Sequence, residues 1–329
     1  VDNAALADVG NFCQAGLRFD QPEKVTSQGV FDEVPLGGYD PHAHVKDMDL
    51  DGVHGGLVYP SLGLYLYSKP DTDLLRAIFS AYNDWLADFC KPCPDRLKGA
   101  AMILLDGDVE AGVAEMRRAA KIGLAGAMIS VFPTPGPYYD NPTAYEAVWA
   151  TAQELDMPLS LHVGTNRPGS MEIEEGKPGQ LTVVEMTNGD FWPRQSMCQM
   201  IYGGVFDRYP DLKVVNVEHE LAWIPYFINR MDSLYHDYPL RTPYRFKGDA
   251  RPSDFMYVNV FHSFQEDALG VRDRHLIGLD NLMWGSDYPH SESTFPESRR
   301  VLDEILADVP EDEKAKIVGG NASRLYKFS

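Results

Sequence analysis

The sequence predicts an α/β fold of the (β/α)8 TIM-barrel type, with the first strand absent from the chain. Three observations predict it. Short apolar runs recur and are continuous rather than alternating, the pattern of parallel strands buried on both faces. Segments of helical periodicity separate them at intervals of roughly 25–45 residues, the rhythm of right-handed βαβ units. Metal-capable and titratable side chains collect just past the apolar runs, where barrels of this type carry their chemistry.

The elements follow in order. Residues 52–61 (GVHGGLVYPS) read as a strand, and 71–90 as a helix with an Asp-Thr start. Residues 97–105 (LKGAAMILL) are a strand, 108–123 a helix closed by Gly123, and 124–132 (LAGAMISVF) a strand. A helix over 142–156 carries Pro142 in its first turn, and 157–164 (MPLSLHVG) is a strand. Helix 194–210, strand 212–220 (LKVVNVEHE) and helix 221–237 come next. Residues 255–263 (FMYVNVFHS) read as a strand, followed by a short helix near 265–275. Strand 281–289 (NLMWGSDYP), helix 296–306 and a last helix over 311–328 with a Gly-Gly-Asn stop complete the pattern. That makes seven strands where a closed barrel needs eight. No linker, repeat or low-complexity tract divides the chain, so one domain over 1–329 is expected, with an irregular segment at 1–36.

Composition narrows the function classes. Asp and Glu number 49 against 29 Lys and Arg, a formal charge of −20, and no basic stripe suits nucleic acid. No run of 18 apolar residues suggests a membrane span, and the start lacks a signal-peptide layout, so a cytoplasmic protein is expected. Four cysteines make no disulfide framework, and CKPC at 90–93 reads as two loop cysteines rather than a redox pair.

The chemistry collects at strand ends. One strand ends in His162, another in Glu218-His219-Glu220, a third in His262, and the last in Asp287 with His290 just beyond. A lone strand-end histidine is usually only a polar residue at a mouth. Several converging on one rim point to a metal-assisted site.

The segments LSLHVG, VNVEHELAWIP and LMWGSDYPHSEST, with the terminal GGNASRLY, resemble the amidohydrolase-related branch of the amidohydrolase superfamily. The resemblance runs from about residue 37 to the C terminus. It implies a distorted (β/α)8 barrel and a small-molecule substrate. It implies that His162 and Asp287 bind one divalent metal, zinc expected and manganese the alternative. Asp287 would also take a proton from metal-bound water, and His219 would act as base or electrostatic stabiliser. The strand GAMISVF carries no lysine, so the bridging lysine of two-metal relatives has no counterpart there.

The same resemblance places an HxH pair on the first strand. His42-Ala43-His44 offers that spacing, but Asp40 and Pro41 before it signal a helix start. On a helix, residues two apart point roughly 200° from each other and cannot grip one ion. The expectation is therefore a helix at 41–51 and an HxH strand that either precedes the chain or has been lost. The first is preferred, because His162, His219 and Asp287 are retained.

The functional expectation is a mononuclear metal-dependent hydrolase of a small amide, ester or lactone. One alternative is a nonoxidative decarboxylase of a small aromatic or unsaturated carboxylate, with Arg194 or Arg167 holding the substrate. A second is an inactive barrel used for binding. His290 and His262 are candidate substrate contacts, Glu218 and Glu220 are read as structural, and Trp223 and Trp284 as barrel packing. The long loop 164–193 is expected to cover the metal or pack on a second copy in a homodimer.

Overall fold

In a computed structural model, residues 10, 14–26, 29–168 and 183–328 are described. The remainder of the long loop, residues 169–182, lies outside them. Among the described residues the core is a parallel sheet of seven strands in sequence order: β1 (Gly56–Val58), β2 (Leu97–Met102), β3 (Gly126–Ile129), β4 (Leu159–His162), β5 (Val214–Val217), β6 (Val260–Phe264) and β7 (Leu282–Trp284). Each strand pairs in parallel with the next, from Gly56 opposite Leu97 to Phe264 opposite Trp284. The sheet curls into a half-barrel. β1 and β7 are its two edges, and residues of both line one large cavity.

Strand parity divides the side chains into two layers. Val214, Leu159, Leu161, Val260 and Phe264 pack outward against the helices, in the core that contains Trp149, Phe206 and Met256. Val215, Val217, Phe261 and Met283 turn inward and meet Tyr326. Every strand therefore presents apolar side chains to both layers, which is why the runs do not alternate.

The helices start where local chemistry dictates. Asp71 and Asp108 cap the helices Thr72–Cys90 and Val109–Lys121 by accepting from the backbone N–H of Leu74 and Ala111. Asp40 likewise accepts from Ala43 N, with Pro41 in the first turn, so the segment holding His42 and His44 is the helix Pro41–Asp51. His44 Nδ1 lies 2.8 Å from the Gly37 carbonyl, while His42 faces Cys93, so the two rings share no point.

Three expected elements are corrected. Residues 255–259 are not strand: helix Pro252–Asn259 occupies them, and β6 begins at Val260. Pro252 sits in its first turn, Asp254 accepts from Arg251 N, and the Asn259 amide holds the Pro210 and Leu212 carbonyls. The helix expected over 194–210 is two, Phe191–Tyr202 and Val205–Arg208, divided by Gly204 at φ +69°. Gly319-Gly320 does not stop the last helix. A π turn spans Lys316–Gly320 and the chain continues as Asn321–Tyr326, where the Asn321 amide donates to the Leu279 and Leu282 carbonyls. Cys90 ends a helix and Cys93 lies in the turn after it, both as free thiols.

Candidate active site

The site forms where β4, β5 and β7 end. His162 is the last residue of β4, and Ser160, two before it, faces the same interior. His162 is buried, with Nδ1 donating to the Val163 carbonyl at 2.8 Å. Nε2 therefore points to its other partner, Glu218 Oε1, at 2.9 Å. Glu218 follows β5 with φ +61°, Glu220 has φ +52°, and Asp287, beyond β7, has φ +60°. A left-handed backbone is uncommon for non-glycine residues and clusters at functional sites. Here the conformation marks the ends of two strands on one rim.

Charge is concentrated at this rim. Burial works against a charged His162, but the Glu218 carboxylate lifts its pKa above the ordinary histidine value. Burial raises the Asp287 carboxyl, and the nearby Glu218 charge adds to that. His290 Nδ1 lies 3.0 Å from Asp287 Oδ1, and Nε2 lies 3.2 Å from Ser61 Oγ. Burial opposes the charge on His290, yet Asp287 carries its pKa up to about 9. His219 is the opposite case: burial, then the like charge of His162, push it down to about 3, so it is a neutral imidazole. Among the described residues its Nδ1 is buried without a partner, and its carbonyl accepts from Trp223 Nε1 at 2.7 Å. Glu220 is pushed up to about 7 by burial and by Asp267.

Among the described residues, Asp287, His290 and Glu292 form a group whose ligand atoms all lie within 4.8 Å of one another. Their oxygen and nitrogen donors, without thiolate, suit a hard or borderline divalent ion. His162 lines the same cavity, its Nε2 turned to an anion where a cation would also be stabilised. The donor set thus fits one divalent metal.

The structure brings His162, Asp287 and His290 to one cavity of about 1150 Å³, together with Glu218. His219 joins their electrostatic cluster but lines a separate cavity of about 160 Å³.

The structure places two expected substrate contacts, His262 and Arg194, away from both cavities. His262 shares its strand face with Val260 and Phe264, so it points toward the helices, fully buried beside the Asn216 amide at 3.4 Å. It lines neither cavity. Arg194 lines neither as well; its Nε lies 3.0 Å from Asp190 Oδ2, one helical turn away. Arg167 is buried, bonded to Asp106 at 2.8 Å and to the carbonyls of Tyr67 and Lys69, and so fixes the chain rather than a ligand. Trp223 packs on Phe227 as expected of barrel packing, while Trp284 lines the large cavity.

Sequence reasoning missed Tyr59 and Ser61. Tyr59 donates or accepts at 2.8 Å with Ser160 Oγ, and its ring lies 4.9 Å from that of His162. Both residues sit just past β1, and that position was the available signal; neither is titratable near neutral pH.

Known proteins match this chain over most of its length. The amidohydrolase family model matches residues 70–328. A gamma-resorcylate decarboxylase from Rhizobium sp. (strain MTP-10005) is 27% identical over 276 residues, covering 79% of each chain. A dihydroxybenzoic acid decarboxylase from Polaromonas sp. JS666, solved with manganese and the inhibitor 2-nitroresorcinol, superimposes with a TM-score of 0.67 at 21% identity, over 94% of this chain and 90% of that one. A 5-carboxyvanillate decarboxylase from Novosphingobium aromaticivorans, solved with manganese and 4-hydroxy-3-methoxy-5-nitrobenzoic acid, gives 0.71 at 22% identity, over 98% and 89%. These two share the barrel fold. The hydrolase expectation is overturned, because the curated relatives that match this chain over most of its length, the gamma-resorcylate decarboxylase among them, are decarboxylases rather than hydrolases. Among the described residues no helix is long and apolar enough to cross a membrane. With the family model spanning well over half of its length, the chain belongs to the amidohydrolase family, as an enzyme built on a seven-stranded parallel half-barrel.

Proposed function

We propose that this protein is a metal-dependent nonoxidative decarboxylase of a small aromatic carboxylate with a hydroxyl beside the carboxylate. The observation that carries the reading is the pair Asp287 and His290, 3.0 Å apart at the cavity that His162 also lines. A buried carboxyl and imidazole that share one proton can deliver it to a reacting carbon.

His162 and Asp287 would hold one divalent ion, manganese by analogy with the solved relatives, with His290 and Glu292 beside it. When bound, that ion would supply the positive charge that anchors the substrate's carboxylate and adjacent phenolic oxygen. The remaining chemistry belongs to the chain. Asp287 gives its proton to the ring carbon that bears the carboxylate. The bond from that carbon to the carboxylate breaks, its electron pair returns to the ring, and carbon dioxide leaves. A proton from solvent then restores the acid at Asp287, so each turnover takes up one proton and releases one carbon dioxide. The His290 contact at 3.0 Å holds the carboxyl in place during the cycle. Neutral His219 offers Nδ1 to a phenolic oxygen without bringing a competing charge.

The reading includes a homodimer. Val183, Val184 and Met186 are exposed beside the small cavity, an apolar patch that a second copy would cover. The free thiols Cys90, Cys93 and Cys198 suit a reducing cytoplasm.

Incubation of the manganese-loaded protein with 2,6-dihydroxybenzoate tests the reading. Carbon dioxide and resorcinol should appear in equal amounts. In deuterium oxide, one deuterium should enter the vacated ring carbon. Failure to release carbon dioxide from this acid, or from any other ortho-hydroxybenzoate tried, would sink the proposal.

A further inference from the structure

We infer that Tyr59 is a positioning residue for His162: Ser160 anchors its hydroxyl, and its ring restrains the imidazole whose Nε2 would meet the ion. This rests on the ion proposed at His162 and identifies what keeps that ligand in place. Tyr59 acts through the histidine, not on the reacting atoms.

The sequence around β1 aims Tyr59 inward. Val58 packs outward against the helices, while Leu57 and Tyr59 pack on the inner cluster of Val215, Val217 and Tyr326. Pro60 follows, and the residue before a proline is held to extended backbone. Tyr59 therefore continues the line of β1 into the hollow of the half-barrel.

Its partners face the same hollow from β4, with β2 and β3 lying between along the sheet. Small residues keep the way across open. Ala100 of β2 is in register with Gly126 of β3, and a Cβ on Gly126 would already come within 3.4 Å of the Tyr326 ring. A larger inward side chain at either position would fill the space that lets an edge strand reach the fourth.

Tyr59 spans two successive inward positions of β4. Its hydroxyl lies 2.8 Å from Ser160 Oγ, and its ring centroid lies 4.9 Å from that of His162, with the planes 57° apart. Ser160 is fully buried, so water does not compete for that hydrogen bond.

The imidazole is thus held in two ways. Nδ1 donates to the Val163 carbonyl at 2.8 Å, which fixes the tautomer and leaves Nε2 turned to the cavity. One hydrogen bond still lets the ring tilt about its own axis, and the tyrosine ring stands in the way of that tilt. Metal-binding histidines depend on such supports, and losing one costs about 10–100-fold in affinity.

The test measures manganese binding to the full chain by calorimetry. Tyr59→Phe keeps the ring and removes the anchor, and Ser160→Ala removes the anchor's other end. Each should raise the manganese Kd about tenfold. The double variant should bind no more weakly than either single one, because the two hydroxyls act as one unit. Tyr59→Leu removes the ring as well and should raise Kd about a hundredfold. Urea unfolding checks that each variant folds; a tyrosine that only filled space would move the unfolding midpoint and leave Kd where it was. Should Tyr59→Leu fail to fold, the two hydroxyl variants decide.

Wild-type manganese affinity in folded Tyr59→Phe and Ser160→Ala would overturn the inference. So would multiplying losses in the double variant, or no manganese binding by the wild type. If Kd follows Tyr59 but no ortho-hydroxybenzoate loses carbon dioxide, the positioning stands and the decarboxylase reading falls. If carbon dioxide is released and Kd ignores Tyr59, the positioning falls and the reading stands.

Discussion

Ser298 donates to Asp51 twice, from its backbone N–H at 3.0 Å and from its hydroxyl, across 247 residues of sequence. Asp51 ends the helix before β1, and Ser298 begins the helix after β7. One buried carboxylate therefore fastens the two flanks of the open side of the sheet. It also caps the helix Ser298–Ile305, whose first N–H groups have no partner within the helix.

Ser298→Ala should weaken this fastening. The substitution removes the hydroxyl donor and leaves one oxygen of a buried carboxyl unpaired. Burial already raises the Asp51 pKa, with the Ser298 contacts opposing. We expect a loss of about 1–3 kcal/mol in urea unfolding at neutral pH. An unchanged midpoint would show that the contact carries no weight.

Acid should destabilise the fold through His262. Burial pushes this histidine down to about 3, so it is neutral when folded. In the unfolded chain its pKa is about 6.5. As pH falls from about 6.5 towards 3, the unfolded state gains a proton that the folded state refuses. Stability should therefore decline through that window, by at most about 1.4 kcal/mol per pH unit from this group. His262→Gln should flatten the curve there, as measured by urea unfolding from pH 7 to 4. An identical slope in the variant would rule out His262 as the source.

Asp287→Asn should abolish turnover while preserving the fold. The amide has the shape of the carboxyl but no acidic proton to give. A fall in kcat of about 10²–10⁴-fold is expected, the range for a lost general acid. Carbon dioxide release under saturating substrate measures it. Activity within threefold of wild type would remove Asp287 from the reaction.

Chelation should lower the thermal midpoint and stop turnover together, and manganese should restore both. An ion that binds only the folded state stabilises it by about 2.7 kcal/mol at a hundredfold excess over Kd. Scanning calorimetry before and after dialysis against a chelator reads the first effect. A midpoint insensitive to manganese up to millimolar concentration would argue against the ion site.

The strands were legible because doubly buried parallel strands are apolar on both faces, and Val214–Val217 and Leu159–His162 show this plainly. The helix start at Asp40-Pro41 was legible because one side chain and one ring settle it locally. What sequence could not settle was direction across the sheet. His262 ends an apolar run just as His162 does, yet one faces the helices and the other the interior. Parity depends on where the strand begins, and Phe255–Asn259 turned out helical. Pairing was also hidden: Glu218 next to His219 reads as one acidic residue in a charged stretch, and only folding sets it 2.9 Å from His162. Arg194 looked available for an anion until Asp190, one helical turn away, engaged it.

The contact between His290 Nε2 and Ser61 Oγ, at 3.2 Å, joins the chain leaving β7 to the chain leaving β1. His290 also holds Asp287 at 3.0 Å through its other ring nitrogen. A shift of the segment after the first strand of the sheet is therefore passed through one imidazole to the carboxyl after the last, so the two outer strands of the sheet move this rim as one unit.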